Sequence, residues 1–234
     1  MADCTIINGD SRAVAPTIEG PINCICTDPP YGVAFKSGSA QTAAGKRWVE
    51  EIANDDDPEL ALATFMDVMR PLVEKCADEA EMYVFTAWRV LPEWMHAVAS
   101  LEPFVVKNLL VWDKGTPGMG DLDGNWANSH ELIIYAKKGR RVLPSRRPSI
   151  IAVNRTPSNS HIHPTEKPVA LIEVLLEQST NRGDLVVDPF AGSGATIVAA
   201  QRLGRRGIGI EMHTPFWERA IRRLDQNFFD LDGL

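Results

Sequence analysis

Short apolar runs alternate with stretches of helical periodicity along most of the 234-residue chain. Ile22-Asn23-Cys24-Ile25-Cys26 reads as a buried strand. It has to end at Asp28-Pro29-Pro30, because proline cannot donate to a sheet ladder. Leu60, Phe65, Val68, Met69 and Leu72 recur at helical spacing, which predicts a helix over 58–75 with Asp57 as N-cap and Pro58 in its first turn. Further strands are predicted over 82–86, 107–112, 131–136, 185–187 and 208–210, and further helices over 91–101, 168–179, 197–203 and 216–224. Strands alternating with helices imply an α/β protein whose sheet is mostly parallel and covered on both faces. Two stretches break the alternation. Residues 36–54 are polar and rich in Gly, Ser and Ala, the composition of a long loop that is functional or unstructured. Residues 137–162 are dense in Pro and Arg with little periodicity, an insertion too short for a separate domain, so one domain is expected over 1–234.

Composition changes this picture little. Hydrophobic residues make up 44% and charged residues 24%, as in an ordinary globular protein. No apolar run approaches the ~20 residues of a membrane helix, and the first residues, Met1 to Ile7, lack the basic start of a secretory signal. The expected location is therefore the cytoplasm, with no membrane partner. Cys4, Cys24, Cys26 and Cys76 match no zinc-binding spacing, and they are expected to be free thiols in the core; no metal is expected.

Charge is more informative in its distribution than in its sum. A net charge of −7 argues against a nucleic-acid partner. Yet Lys137, Lys138, Arg140, Arg141, Arg146, Arg147 and Arg155 follow one another without an acidic residue, while Glu50-Glu51 and Asp55-Asp56-Asp57 form an acidic counterweight. The basic segment is either a face for nucleic acid or a solvated loop.

Two motifs carry chemistry. Asp188-Pro189-Phe190-Ala191-Gly192-Ser193-Gly194 follows a strand and opens a helix. Its glycines permit a tight turn and close approach of a ligand to backbone N–H groups. Glu211 ends the next strand, about 20 residues on, where an acid can accept hydrogen bonds from ribose hydroxyls. A plain tight turn would also explain the glycines. Nicotinamide-dinucleotide binding is disfavoured, because Ile197 replaces the third glycine of that fingerprint. The second motif is Thr27-Asp28-Pro29-Pro30-Tyr31-Gly32. Its two prolines stiffen a strand end and remove backbone donors, which leaves the Asp28 carboxylate and the Pro29 carbonyl as acceptors beside the Tyr31 ring. That set suits an amino group on a planar heterocycle, with the ring stacked on tyrosine.

Taken together, these motifs resemble the amino-methylating DNA methyltransferases, which modify adenine N6 or cytosine N4. In that family Asp-Pro-Pro-Tyr is catalytic and Asp-Pro-Phe-x-Gly-Ser-Gly binds S-adenosylmethionine. Asn8-Gly9-Asp10, Ser129-His130-Glu131 and His163-Pro164-Thr165-Glu166-Lys167-Pro168 are similar to further family elements, so the resemblance spans nearly the whole chain. Here the catalytic motif precedes the cofactor motif, an order similar to the β class, in which the intervening stretch reads the target. In this chain that stretch, 137–162, is unusually short.

The resemblance implies a Rossmann-like methyltransferase fold with one small basic recognition insertion. It implies Asp28, Pro29, Pro30 and Tyr31 as catalytic residues, assisted by Phe35 or Trp48, acting on a base flipped out of double-stranded DNA. It further implies Asp188, Phe190, Gly192, Ser193 and Gly194 around the methionine part of S-adenosylmethionine, with Thr165 and Lys167 near its carboxylate. Asp10 would meet the adenine and Glu211 the ribose. Lys167 has an alternative reading as a surface lysine at a helix start. The basic residues from Lys137 to Arg155 become candidate DNA contacts. A short recognition segment suggests a homodimer reading a palindrome, working at the nucleoid of a prokaryotic or phage-infected cell. Aspartate at the first motif position goes mostly with adenine N6 and serine with cytosine N4, so adenine is expected and cytosine is the alternative, with an RNA or protein amine ranked below both because relatives acting on those usually carry the opposite motif order.

Overall fold

The computed structural model describes residues 3–32, 57–116, 124, 126–155 and 166–231. Phe35, Trp48 and Thr165 lie outside the described residues. Eight strands form one sheet: β1 (Cys4–Asn8), β2 (Ile22–Thr27), β3 (Cys76–Thr86), β4 (Val105–Asp113), β5 (His130–Lys138), β6 (Ile150–Ala152), β7 (Leu185–Asp188) and β8 (Arg206–Glu211). Their spatial order is β1-β8-β7-β2-β3-β5-β4-β6. Every pairing is parallel except those of β5, which runs antiparallel to β3 and β4.

The helices are α1 (Ser11–Val14), α2 (Pro58–Glu74), α3 (Leu91–Ala99), α4 (Val169–Ser179), α5 (Ala195–Arg202) and α6 (Thr214–Leu231). Strand pleating sorts the core into two layers. Ile25, Met82, Val84 and Ile134 pack with Phe65, Met69 and Leu72 of α2 and Trp94 and Val98 of α3. Cys24, Cys26, Phe85 and Ile133, one residue out of phase, pack with Leu171, Ile172 and Leu175 of α4, Ile197 of α5 and Ala220 of α6. All four cysteines are free thiols, three of them buried. Among the described residues, no helix is long and apolar enough to cross a membrane, and no group of three or more His, Cys, Asp or Glu could hold a metal ion.

Local signals explain most element ends. Asp57 caps α2 by accepting from the N–H groups of Glu59 (2.9 Å) and Leu60 (3.1 Å), with Pro58 in the first turn. β7 stops at Asp188, immediately before Pro189, and β2 at Thr27, one residue short of Pro29. Four features differ from the sequence expectation. β3 begins at Cys76 rather than at 82, because polar Asp78 and Glu79 disguise its first half. β1 and α1 sit at the amino end, outside the predicted elements, and β6, three residues within the Arg/Pro-rich stretch, exists through its pairing with β4.

The position of the site follows from the topology. From β2 the chain moves through α2 to β3 on one side, and from β7 through α5 to β8 on the other. The adjacent carboxyl ends of β2 and β7 therefore flank a topological switch point, where open α/β sheets leave a crevice for ligands.

Candidate active site and cofactor cleft

An open cleft lies at this switch point, its lining including Asp28, Lys167, Asp188, Phe190, Gly192 and Thr196. Asp188 joins its two walls. One carboxylate oxygen accepts the Thr27 hydroxyl (2.8 Å) and the Phe190 N–H (3.1 Å). Burial pushes the Asp188 carboxyl up to about 6, against hydrogen bonds from Thr196, Thr27 and Phe190 that pull it down. The glycine turn then splits its duties. Gly192 has φ +51°, and a Cβ there would meet nothing within 4 Å, so its bare backbone keeps space open beside the cleft. Gly194 has φ +76°, and a Cβ there would come within 2.8 Å of Ile6 and 3.1 Å of Ala220, so it is needed for packing.

Glu211 ends β8 next to the glycine turn. Its carboxylate accepts the N–H groups of Gly192 (2.9 Å) and His213 (2.7 Å). Burial raises it to about 7 even so. The Met212 N–H also donates to it, and as a carboxylate has about four lone-pair sites, room remains for a hydroxyl donor. Ser193 is buried; its carbonyl and hydroxyl oxygens accept from Arg223 (3.3 and 3.2 Å), which in turn pairs with Glu166 at 2.8 Å. Asp10, expected to meet the adenine, is the N-cap of α1; its exposed carboxylate accepts from the Arg12 guanidinium (2.7 Å) and the Arg12 N–H (2.9 Å) and lies outside the residues lining the cleft.

Asp28 leaves β2 half-buried, with one oxygen taken by the Tyr31 hydroxyl and the other by the Lys167 ammonium. Lys167 is 8% exposed, which corrects the reading as a surface lysine; its ammonium also sits 3.2 Å from Glu131 of β5. Lys167, expected near the cofactor carboxylate, lines the cleft and is paired there with Asp28 and Glu131. The second Glu131 oxygen is paired with Lys114, just after β4. Burial works to raise the Asp28 carboxyl and Glu131 adds to it, while Lys167 and the Tyr31 hydroxyl pull it back; the net direction is up. For Lys167, burial opposes the charge, but Asp28 and Glu131 outweigh it and hold the ammonium above its ordinary range. Pro29 is buried and Pro30 half-buried, and the Tyr31 ring meets Trp94 edge to face at 5.7 Å. Gly32 has φ +71°, and a Cβ there would lie 2.3 Å from the Pro58 backbone, so the loop crosses the start of α2 where only glycine fits.

The N6/N4 DNA methylase family matches the chain over residues 22–222. The chain belongs to that family. Its members draw the methyl group from S-adenosylmethionine and place it on a base amine of DNA. The Escherichia coli (strain K12) protein named "Putative methylase YubD" is 33% identical over 222 residues, covering 93% of this chain and 88% of the relative. The DNA adenine methyltransferase YhdJ of the same organism is 25% identical over 250 residues, covering 95% and 74%. Among solved structures, the M1.HpyAVI–SAM complex superposes with a TM-score of 0.70 at 23% identity, covering 96% of this chain and 99% of that one. The cytosine-N4-specific PvuII DNA methyltransferase gives 0.72 at 14% identity, covering 97% and 92%.

As a DNA methylase of this family, the chain places its basic segment unexpectedly. β5 starts at the cleft with Glu131 and runs away from it, so Lys138 lies about 24 Å off at ~3.4 Å per residue. Lys138 donates to the Cys76 carbonyl (2.8 Å) at the start of β3. Lys137 is turned to the Arg141 carbonyl, and Arg141 lies 3.6 Å from Asp184, just before β7. Arg147 pairs with Glu177, near the far end of α4, at 2.8 Å. Arg140 and Arg146 are exposed in the same stretch. Of the residues expected to contact DNA, Lys137, Lys138, Arg140 and Arg141 therefore lie at the end of β5 away from the Asp-Pro-Pro-Tyr loop, and three of them are paired within the protein. Arg155 follows β6 back to the cleft edge, where it donates to the Asn128 carbonyl at 3.5 Å.

Sequence reasoning passed over Lys114, Glu131 as an ion-pair partner, Trp94, and the Arg223–Glu166 pair. None carries a local signal for this role, and only the fold brings each to the site.

Proposed function

We propose that this DNA methylase transfers a methyl group from S-adenosylmethionine to adenine N6 in double-stranded DNA, on a base swung out of the duplex. The observation that carries the reading is the Asp28 carboxylate, fixed at the cleft mouth between Lys167 and Tyr31 beside a proline carbonyl. When bound, S-adenosylmethionine supplies an electrophilic methyl group on a positively charged sulfur. The chain's own residues position the amine. Asp28 and the Pro29 carbonyl accept its two hydrogens, drawing the nitrogen lone pair out of conjugation and toward the methyl carbon. The Tyr31 ring, braced by Trp94, offers a face for the base. The nitrogen–carbon bond forms as the carbon–sulfur bond breaks with its electron pair left on sulfur, and the nitrogen then releases one proton. Glu211 and the Gly192 turn would hold the ribose and methionine ends of the cofactor.

Aspartate at position 28, with the likeness to an adenine methyltransferase, supports adenine. Cytosine N4 is the second reading, favoured by the overlay on a cytosine-N4 enzyme. Expression in a host lacking both methylase types, followed by nucleoside mass analysis of its DNA, separates them. N6-methyladenine is expected. N4-methylcytosine would move the assignment to the second reading, and absence of both from DNA exposed to cofactor-loaded protein would sink it. We further propose a homodimer acting at the nucleoid, since one short recognition segment offers few base contacts. Sedimentation of the protein at the dimer mass is the expected result.

A further inference from the structure

We propose that Glu131 is a positioning residue for the transfer step, acting through Lys167 to orient Asp28 and preserve its capacity to accept the amine's hydrogen. The inference rests on the methyl-transfer reading above.

Four charges from four separate stretches meet in one line: Lys114 after β4, Glu131 in β5, Lys167 before α4 and Asp28 after β2. Their side chains are 11%, 29%, 8% and 22% exposed, and their charges sum to zero. An ion chain this buried is poor economy for a fold, because its desolvation offsets most of its attraction and apolar residues would serve as well. Its geometry, however, acts on Asp28. The Lys167 ammonium is held from behind by Glu131, so the Asp28 oxygen it touches cannot turn away. The other oxygen is left facing Tyr31, whose hydroxyl occupies it and must yield or share it when an amine arrives.

Glu131 also divides the charge of Lys167. With Glu131 neutral, the ammonium would be fully available to Asp28, and the carboxylate would become a weaker acceptor. The groups facing Asp28 are Tyr31 on its own loop, Lys167, Glu131 and, across the switch point, Asp188, while Lys114 tempers Glu131 from the next strand.

The test uses the full-length protein, S-adenosylmethionine and duplex DNA from a methylase-deficient host, comparing wild type with Glu131→Gln and Glu131→Asp. Glutamine keeps an oxygen near Lys167 but removes the charge. The expected result is a single-turnover rate lower by roughly tenfold or more, an acidic limb of the pH–rate profile displaced about one unit to lower pH, and cofactor affinity within about twofold of wild type. Glu131→Asp should restore the limb to the wild-type position. A Glu131→Gln enzyme with wild-type rate and limb would overturn the proposal. So would a slower enzyme whose limb has not moved, which marks a merely structural role. Wild-type protein that methylates no base would instead defeat the functional reading itself, so the two failures are distinguishable.

Discussion

Asp28 and Glu211 end neighbouring parts of the same sheet edge, yet their surroundings assign them different tasks. Asp28 is anchored by a cation and offers one oxygen toward the cleft mouth; Glu211 is anchored by backbone N–H groups and offers its remaining lone-pair capacity to a hydroxyl. Replacing Asp28 by alanine leaves Lys167 paired with Glu131, so the fold tolerates the change. Single-turnover methyl transfer should fall by about a thousandfold, with cofactor affinity within a few-fold of wild type by calorimetry. Loss of cofactor binding instead would move Asp28 to the cofactor site. For Glu211 the sign follows from its raised carboxyl, at about 7. The ionised form is the one that accepts ribose hydroxyls, so binding below that value must first expel a proton. Cofactor affinity should therefore be full above pH 8 and fall by about tenfold per unit below pH 7, and Glu211→Gln should bind weakly with little dependence on pH. A wild-type affinity flat from pH 6 to 8 would remove Glu211 from the ribose site.

At the scale of elements, the sequence was readable wherever a local rule decided the outcome. Proline after β2 and β7, Asp57 before α2, and the apolar spacing of α4 each state their structure within a few residues. It was unreadable where partners distant in sequence decide. β3 hides its first half because the exposed Asp78 and Glu79 interrupt its apolar run before the part of the strand that is paired on both sides. β6 has only three residues and owes its strand form to β4. The arginine-rich segment shows the limit most clearly. Its composition is that of a nucleic-acid face, but the antiparallel direction of β5 carries its first half to the far edge, where Asp184, Glu177 and the Cys76 carbonyl absorb it. A direct consequence is that Arg155, returned to the cleft edge by β6, is the member of this group placed to meet a phosphate. Arg155→Ala should weaken duplex binding and lower the salt dependence by about one counterion, whereas Arg140→Ala should change neither, as read from binding titrations across salt concentrations. The reverse pattern would restore the far edge as the DNA surface.

Over the whole molecule, the sheet separates chemistry at one edge from an electrostatic liability at the other. Glu81 in β3 is fully buried, and neither of its oxygens has a hydrogen-bond partner among the described residues. Lys137 is 4.0 Å away but directed at a carbonyl. Burial lifts the Glu81 carboxyl to about 7, against the pull of Arg141 and Lys137. A carboxyl raised in the folded state keeps its proton there while the unfolded chain has already lost it. Its favourable contribution is present below about pH 4.5 and is lost as the pH rises through about 7. Asp188 and Glu211, also raised, act in the same direction, so stability should decline between pH 5 and 8. Glu81→Gln isolates one contributor. It supplies a neutral side chain of the same shape, and at pH 8 it should be more stable than wild type by roughly 2–3 kcal/mol in denaturant unfolding, with the difference shrinking toward zero at pH 5. Because the site lies at the opposite edge, methyl transfer should be unchanged at pH values where both proteins are folded. A variant no more stable at pH 8 would mean that Lys137 and Arg141 already satisfy the Glu81 charge.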